Sequence, residues 1–404
     1  MPAHDDEELL RSVVEQLAPI PRLPTSPGER AAAELIRDRL AGLGARAGIE
    51  EVPARSSYAW PIGMLSALAA GAGLAALRGH RLSHHGLSGH RLIGVVGGAL
   101  AAAGIVDDIS GRWLVGRRTV MRPRTAYNVV AQLGPAEATR TLCVLAHHDA
   151  APSGVVFQQV AQEWLAEHRP DVVERMTSNP PLWWPVIAGP ALVALGSATG
   201  RRWLTRVGVA ASATSLAAMV DIGRRPAVPG ANDNLTGVAA LVALADRWRT
   251  DPVPGLRLLL VSAGAEEALQ EGIRGFAARH FPQLPPQRTW FVNLDTIGSG
   301  RLVLLEGEGP VRMRDYAAGV KDLVAGCAAA EGIELLRGLR SRNSTDGAVP
   351  NRYGYPTATI VSVDHRKLIP HYHLDTDLPE HVDYGCVARA VRLVEAVARK
   401  LVYV

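Results

Sequence analysis

Twenty consecutive residues without a charge, 58–77 (YAWPIGMLSALAAGAGLAAL), constrain this chain more than any other feature. A helix of that length either crosses the hydrocarbon core of a bilayer or must be buried against other apolar surface. A shorter uncharged run, 92–106 (LIGVVGGALAAAGIV), follows a basic, His-rich link from Arg78 to Arg91. A second pair comes later: 181–200 (PLWWPVIAGPALVALGSATG), an Arg201-Arg202 turn, and 203–220, interrupted by Arg206. The four stretches read as two apolar helical hairpins. Trp60, Trp183 and Trp184 near segment ends favour an interfacial aromatic belt, and hence membrane association through the hairpins. Their Ala/Gly-rich composition inserts weakly, so a packed soluble lid or dimer arm is the competing reading. Few ionisable groups lie within the stretches, so no pathway through a membrane is indicated.

A mean hydropathy of +0.07 is high for a soluble enzyme, and the apolar stretches account for it. The formal net charge of +4 is small. Arg117-Arg118 and Arg122 with Arg124 are expected to be solvated loop charge. They carry no aromatic interleaving and no nucleic-acid motif, so no nucleic-acid partner is expected. Cys143, Cys327 and Cys386 are odd in number and widely spaced, which excludes a disulfide framework and fits a reducing compartment. Cys143 lies in an apolar run and reads as a small core residue. The acidic start of the chain lacks a signal-peptide pattern. If the hairpins span a membrane, Arg112, Arg117, Arg118, Arg122, Arg124, Arg224 and Arg225 outnumber Arg78, Arg81, Arg91, Arg201 and Arg202 of the short links. A cytoplasmic catalytic domain at a membrane is the resulting expectation.

Outside the hairpins, short β-branched and apolar runs alternate with helical ones. Residues 126–133, 141–146, 256–262, 290–294 and 357–363 read as strands; 6–46, interrupted by a loop at 19–27 and resuming as an amphipathic helix at 29–43, and 237–248 and 314–331 read as helical. The fold class expected is α/β, a mostly parallel mixed sheet flanked by helices, with two inserted apolar hairpins. The boundaries are an N-terminal helical part at 1–57, a hairpin at 58–110, a first catalytic part at 111–160, a second hairpin at 161–225 and a second catalytic part at 226–404. In such sheets the site lies beyond the carboxyl ends of the strands, where the chemistry-bearing residues of this chain fall.

Strand 141–146 runs into His147-His148-Asp149. An imidazole at a strand end with a carboxylate two residues on suits a metal ligand and its orienting partner, although a capping Asp is equally ordinary. Next, Gly230-Ala231-Asn232-Asp233-Asn234-Leu235-Thr236-Gly237 opens a helix; such loops are commonly a turn and N-cap, yet a carboxylate held there can lie between two cations. Strand 256–262 precedes Glu266-Glu267, either the start of an exposed helix or a metal ligand beside a proton acceptor. Strand 290–294 ends in Asp295. Finally His371-Tyr372-His373-Leu374-Asp375-Thr376-Asp377 follows the last strand and could supply a closing imidazole.

In that order, AHHDA, GANDNLTG, AGAEEA, NLDTIG and YHLDTD resemble the co-catalytic zinc peptidases of clan MH, the family of aminopeptidase S, bacterial leucyl aminopeptidase and glutamate carboxypeptidase. The resemblance covers roughly residues 124–150 and 229–385. It implies two zinc ions bridged by Asp233, with His147 and Asp295 completing one and Glu267 and His373 the other. It further implies Glu266 as the general base toward a bridging water and Asp149 as the group that orients His147. The implied function is a zinc-dependent exopeptidase, commonly an aminopeptidase, acting on peptide or aminoacyl substrates. Carboxypeptidases, other amide hydrolases and aminoacyl cyclases share the scaffold, and a membrane-anchored inactive binding homologue is the alternative of a different class. Ser344-Thr345-Asp346-Gly347 stands where the family has an SDH-type segment, without its His. Cobalt or manganese are compatible with the same donor types.

Overall fold

A computed structural model describes residues 3–79 and 89–403. The chain begins with α1 (Ala3–Leu17) and α2 (Pro27–Gly42), then β1 (Arg46–Ala54). The apolar helices α3 (Ala59–Gly79) and α4 (Gly89–Ser110) follow, with α5 (Val115–Val120), β2 (Arg124–Leu133) and β3 (Arg140–His147) after them. Next come α6 (Val160–His168), α7 (Pro170–Arg175), the apolar pair α8 (Trp184–Thr199) and α9 (Arg202–Arg224), then α10 (Thr236–Thr250) and β4 (Leu256–Ala263). The remainder is α11 (Glu271–His280), β5 (Thr289–Leu294), β6 (Arg301–Leu304), the two-residue strands β7 (Gly307–Glu308) and β8 (Arg314–Asp315), α12 (Ala318–Ala330), α13 (Ala348–Arg352), β9 (Thr357–Val363) and α14 (Tyr384–Leu401).

Seven strands form one sheet in the order β1-β2-β4-β3-β5-β9-β6. The central pairs β4–β3, β3–β5 and β5–β9 are parallel, and the outer pairs β1–β2, β2–β4 and β6–β9 are antiparallel. The inner strands are buried on both faces, which is why they read as apolar runs without alternation. Leu142, Val144 and Ala146 face a core shared with α1, α2, α10, α12 and α14, whereas Cys143 and Leu145 face α11. In α14, Val387, Ala390, Val391, Val394, Val397 and Leu401 supply a buried stripe at helical spacing. Asp383 caps that helix by accepting the Cys386 N–H at 2.9 Å. Strands β3, β4 and β5 run in one direction and end on the same edge of the sheet.

Two strands lie beyond the sequence reading. β1 is an edge strand of mixed polar and apolar residues with only Val52 and Ala54 buried, and the helical reading of 1–57 passed over it; β6 has only four residues. The link at 80–88 lies outside the described residues, so the basic connection between the first two apolar helices is known only by its composition. α6 and α7 lie against the catalytic cavity, although the second hairpin was drawn from residue 161.

The four apolar helices pack in the ring α3-α4-α8-α9. Small residues make their seams. A side chain at Gly98 would lie 2.7 Å from Ala194 N and Pro190 O, and one at Gly208 2.6 Å from Val193 N, so only glycine permits these approaches. Ser66, Ser197, Thr205 and Ser212 are buried among them, whereas Leu68, Leu74, Ile93, Val96, Leu100 and Leu195 are exposed. The seams are thus rich in small and hydroxyl residues while large apolar side chains face outward, and Ile62, Ile105, Val186, Met219 and Ile222 form a buried cluster where the bundle meets the enzyme. α3, α4 and α9 are long and apolar enough to cross a membrane; α8, at 16 residues, reaches about 24 Å.

One end of all four helices meets the catalytic domain, and charge locks the contact. Arg117 is not a solvated loop cation: it is fully buried, paired at 2.9 Å with Asp108 of α4, and donates to the Ala268 carbonyl just beyond Glu267. Arg274 and Arg352 donate to the Gly111 carbonyl at 2.8 and 2.9 Å, satisfying the backbone just past α4. Removing one partner of a buried pair strands the other charge. The substitution Asp108→Ala is therefore expected to cost about 3 kcal/mol. Chemical denaturation of the purified protein measures it, and an unchanged midpoint would show that the pair contributes nothing.

Candidate metal centre

β3 delivers His147 at its carboxyl end, 2% exposed. Its Nδ1 lies 3.1 Å from the Asp149 carbonyl oxygen and 3.6 Å from the Asp149 carboxylate, which leaves Nε2 pointing at Asp233 Oδ1, 3.3 Å away. Asp149 has a second task that its position in the sequence does not reveal. Its two carboxylate oxygens accept the backbone N–H groups of Glu266 and Glu267, each at 3.0 Å. One buried carboxylate thus fixes the imidazole of one strand end relative to the acidic loop of the next.

Asp233 lies in the loop that precedes α10. Gly230 (φ +59) turns the chain there, and a Cβ would meet Asp233 O at 2.6 Å. The Asp233–Asn234 peptide is cis. Asp377 accepts the N–H groups of Asn232 and Asp233 at 2.8 and 3.0 Å. Asn234 donates to the Leu294 carbonyl at 2.8 Å and accepts the Thr296 N–H at 3.1 Å, tying the loop to the end of β5 on both sides of Asp295. Asn232 accepts the Gly298 N–H at 2.8 Å. Both asparagine side chains of this loop are braces, whereas Asp233 Oδ2 is buried with no hydrogen-bond partner.

His373 closes the cluster. Its Nε2 lies 3.2 Å from Asp233 Oδ2 and 3.3 Å from Glu267 Oε1. Phe157 stands edge-on to the imidazole at 4.4 Å between ring centroids, and Tyr372 stacks on it at 4.0 Å. His371 is turned away, stacked on His381 at 4.4 Å, and His148 is bonded to Ser262 Oγ at 2.9 Å. Ligand atoms of His147, Asp233 and Asp295 lie within 4.8 Å of one another, as do those of Asp233, Glu267 and His373. A third grouping joins His147 with Glu266 and Glu267. All six residues anticipated around the metals meet at one point, with Asp149 directly behind them.

Crowding shows in the electrostatics. Burial pushes the Asp295 carboxyl up to about 7, with Asp233 and Glu267 adding to the shift. Burial likewise raises Glu266 and Glu267. Burial would also raise Asp233, but the flanking imidazoles of His147 and His373 outweigh it and hold the group well below the usual carboxylate range. Burial opposes charge on His373, yet Glu267 and Asp233 lift it to about 10. Acids packed this closely call for cations between them. Asp233 Oδ2 and His373 Nε2 lack hydrogen-bond partners yet converge to 3.2 Å, as ligands of a common ion do, and imidazole with carboxylate suits zinc.

Three supporting residues carried no recognisable signal in the sequence. Arg22, fully buried, donates to the carbonyls of His148 (2.8 Å), Leu17 (2.7 Å), Ile20 (3.0 Å) and Pro229 (2.7 Å), joining the end of α1 to two site segments. Gln270 donates at 3.0 Å to Glu266 Oε1 and to the Ser344 carbonyl. Glu308 accepts from Tyr316 Oη at 2.5 Å and from the Thr345 N–H at 3.0 Å; burial brings its carboxyl up to about 7. Asp346, in the segment without the usual His, is buried with neither oxygen partnered, and burial raises it to about 8.

Solved structures share this architecture. The zinc aminopeptidase BSAP from Bacillus subtilis superposes with a TM-score of 0.55 over 98% of this chain and 94% of its own, at 15% identity. A leucine aminopeptidase precursor from Bacteroides thetaiotaomicron gives 0.55, with 97% of this chain and 96% of its own covered, at 15% identity. A glutaminyl cyclase from Tannerella forsythia gives 0.56, covering 97% and 98%, at 14% identity. At such identities the likeness concerns the fold. A search of curated protein sequences finds no significant match. Residues 215–398 match the profile of peptidase family M28. That stretch, a little under half of the chain, holds Asp233, Glu266, Glu267, Asp295 and His373, and together with the shared fold the match supports a metallopeptidase hydrolase.

Proposed function

We propose that the chain is a zinc-dependent aminopeptidase whose catalytic domain is held at a membrane by its helical bundle. The observation that carries the chemistry is the pair of ligand groups sharing Asp233, with Glu266 left beside them. His147, Asp233 and Asp295 would hold one zinc, and Asp233, Glu267 and His373 a second. Zinc bound there supplies Lewis acidity, polarising a scissile carbonyl and acidifying water. Glu266 then serves as general base: Gln270 occupies its Oε1, and the other oxygen takes the proton of the attacking water and returns it to the leaving amine nitrogen. Asp149 fixes the backbone of Glu266 and Glu267, and Asp377 fixes that of Asp233, so neither carboxylate must be ordered during the reaction.

The choice of peptide end rests on charge. Glu266 is an acid of the cavity beyond the ligand set, and Glu308 and Asp346 are buried beside Thr345 of its wall. Of the cations lining the cavity, Arg340 pairs with Asp315, Lys367 donates to the Glu174 carbonyl at 2.7 Å, and Arg366 donates to the His365 imidazole at 3.4 Å. Such a field attracts the ammonium of a free amino terminus and repels a terminal carboxylate. The membrane reading is supported by the bundle, since exposed Leu and Ile beside seams rich in small and hydroxyl residues suit lipid and not water. By sequence, Arg112, Arg118, Arg122, Arg124, Arg224 and Arg225 flank the bundle on the enzyme side, against Arg78, Arg81, Arg91, Arg201 and Arg202 in the short links, a slight excess that favours a cytoplasmic enzyme.

Three outcomes are expected. Glu266→Gln should keep its zinc and lose about 10²–10⁴-fold in kcat on Leu-p-nitroanilide; turnover equal to wild type would overturn the assigned base. Elemental analysis should find about two zinc ions per chain, falling to about one in His373→Ala. A single zinc in wild type would refute the shared-ligand arrangement. On detergent-free fractionation the chain should sediment with membranes and resist alkaline carbonate extraction; recovery in the soluble fraction would sink the membrane reading.

A further inference from the structure

Two cavities meet at the metal cluster from different sides. The first, about 240 Å³, has His147, Asp233, Glu266, Glu267 and Asp295 at its floor. Val303, Leu305, Leu339, Val361, Val363 and Ile369 make its wall apolar. Its roof is the segment between β3 and α8, through Gln162, Leu165, Val173 and Met176. That roof is strapped down: Gln159 donates to the Ile369 carbonyl at 2.9 Å, the Arg340 N–H to the Thr177 carbonyl at 2.8 Å, and the Arg342 N–H to Asn179 Oδ1 at 2.6 Å. An apolar cavity of about 150 Å³ already admits benzene, so this one has room for a large side chain.

The second cavity, about 250 Å³, reaches Glu267 from the side of the bundle. Tyr58, Trp60, Ile222 and Gly223 line it, with Arg124 and Arg225. Trp60 lies in the first turn of α3, and Ile222 and Gly223 in the last turn of α9, so this cavity lies where the bundle joins the enzyme. The same level of the bundle carries exposed Trp60, Trp113 and Trp184 at the ends of α3, α4 and α8. Exposed Val155 and Val156 continue the apolar surface onto the enzyme, anchored by the Val155 N–H to Asp221 of α9 at 2.8 Å. Tryptophans at the ends of apolar helices mark the headgroup level of a bilayer, and arginine there meets lipid phosphate.

We propose that the substrate is a peptide whose C-terminal portion is anchored in the bilayer. Its first residue fills the apolar cavity under the roof, and its leaving portion passes through the second cavity to the lipid surface. This rests on the aminopeptidase and membrane readings above and adds the direction of the chain and the class of peptide. The carboxylates of Asp233, Glu266 and Asp295 line the first cavity and not the second, so the ammonium falls on the side of the first cavity, which sends the leaving amine toward Glu267 and the bundle. The scissile C–N bond breaks as water oxygen joins the carbonyl carbon, and one water proton reaches the leaving nitrogen through Glu266. The products are a free apolar amino acid and an anchored peptide one residue shorter.

The experiment uses the full chain, zinc-loaded, in phosphatidylcholine vesicles. The probes are Leu-initiated peptides with a C-terminal palmitoyl-lysine after a spacer of about three or about twelve residues; an extended residue spans roughly 3.3–3.6 Å, so the spacers reach very different heights. Short- and long-spacer peptides are expected to be cleaved with kcat/KM within about threefold of each other, because the site opens at the lipid surface. Cleavage of the long-spacer peptide alone would overturn the proposal. A second readout is independent of turnover: Glu266→Gln is illuminated with the same peptides carrying photo-leucine at the first position. Crosslinks from the short-spacer peptide to the 301–305 or 361–369 segments are expected; crosslinks from the long-spacer peptide only would again overturn it. If wild type cleaves nothing while the short-spacer crosslinks form, the hydrolase reading fails and the docking geometry stands.

Discussion

A carboxylate buried with an oxygen that no hydrogen bond satisfies is costly, and Asp233 is such a group. Much of the catalytic domain is arranged to keep it there. Asp377 grips the backbone on which it sits, Asn234 and Asn232 rivet that loop to the end of β5, and Arg22 ties the neighbouring Pro229 carbonyl to β3 and α1. Two imidazoles face it from opposite chain segments. The arrangement is stable in its acidic surroundings only with positive charge among the ligands, which is the physical content of calling it a metal centre.

The bundle and the site are mechanically continuous. Arg117 joins Asp108 of α4 to the Ala268 carbonyl, one residue beyond Glu267, and the Glu266 and Glu267 N–H groups are held in turn by Asp149. An apolar helix of the bundle therefore abuts the loop that bears Glu266 and Glu267. The roof of the apolar cavity leads directly into α8, so the insertions that interrupt the catalytic sequence also shape the mouth of the site.

The catalytic domain was largely legible because its elements carry their signals locally. β3 and β5 are apolar runs that lead directly into His147 and Asp295, and the remaining candidate-site motifs follow β4 and β9 in the loops beyond their ends. β1 was not legible, because an exposed edge strand needs no continuous apolar run and Glu50 and Glu51 mask its periodicity. Arg117 was misread for a related reason. A cationic pair in a short segment looks like solvated charge until Asp108, nine residues earlier on another helix, is found facing it.

By itself the sequence determined the α/β class, the identity of the ligand types and the order in which they follow successive strands. The family resemblance of its motifs also singled out His373 in preference to His371. These are properties of local pattern, and hydrophobic periodicity and motif spacing encode them directly. Only the tertiary structure decided that Asp149 serves two segments at once, that Gln270 holds Glu266, and that small residues line the seams of the bundle while large apolar ones face outward. Those facts depend on contacts between residues far apart in the chain, and no single segment carries both partners. The two cavities that meet at the metal cluster belong to the same class: the walls of each come from at least three separate parts of the chain, and they exist only once the sheet, the roof and the bundle are packed together.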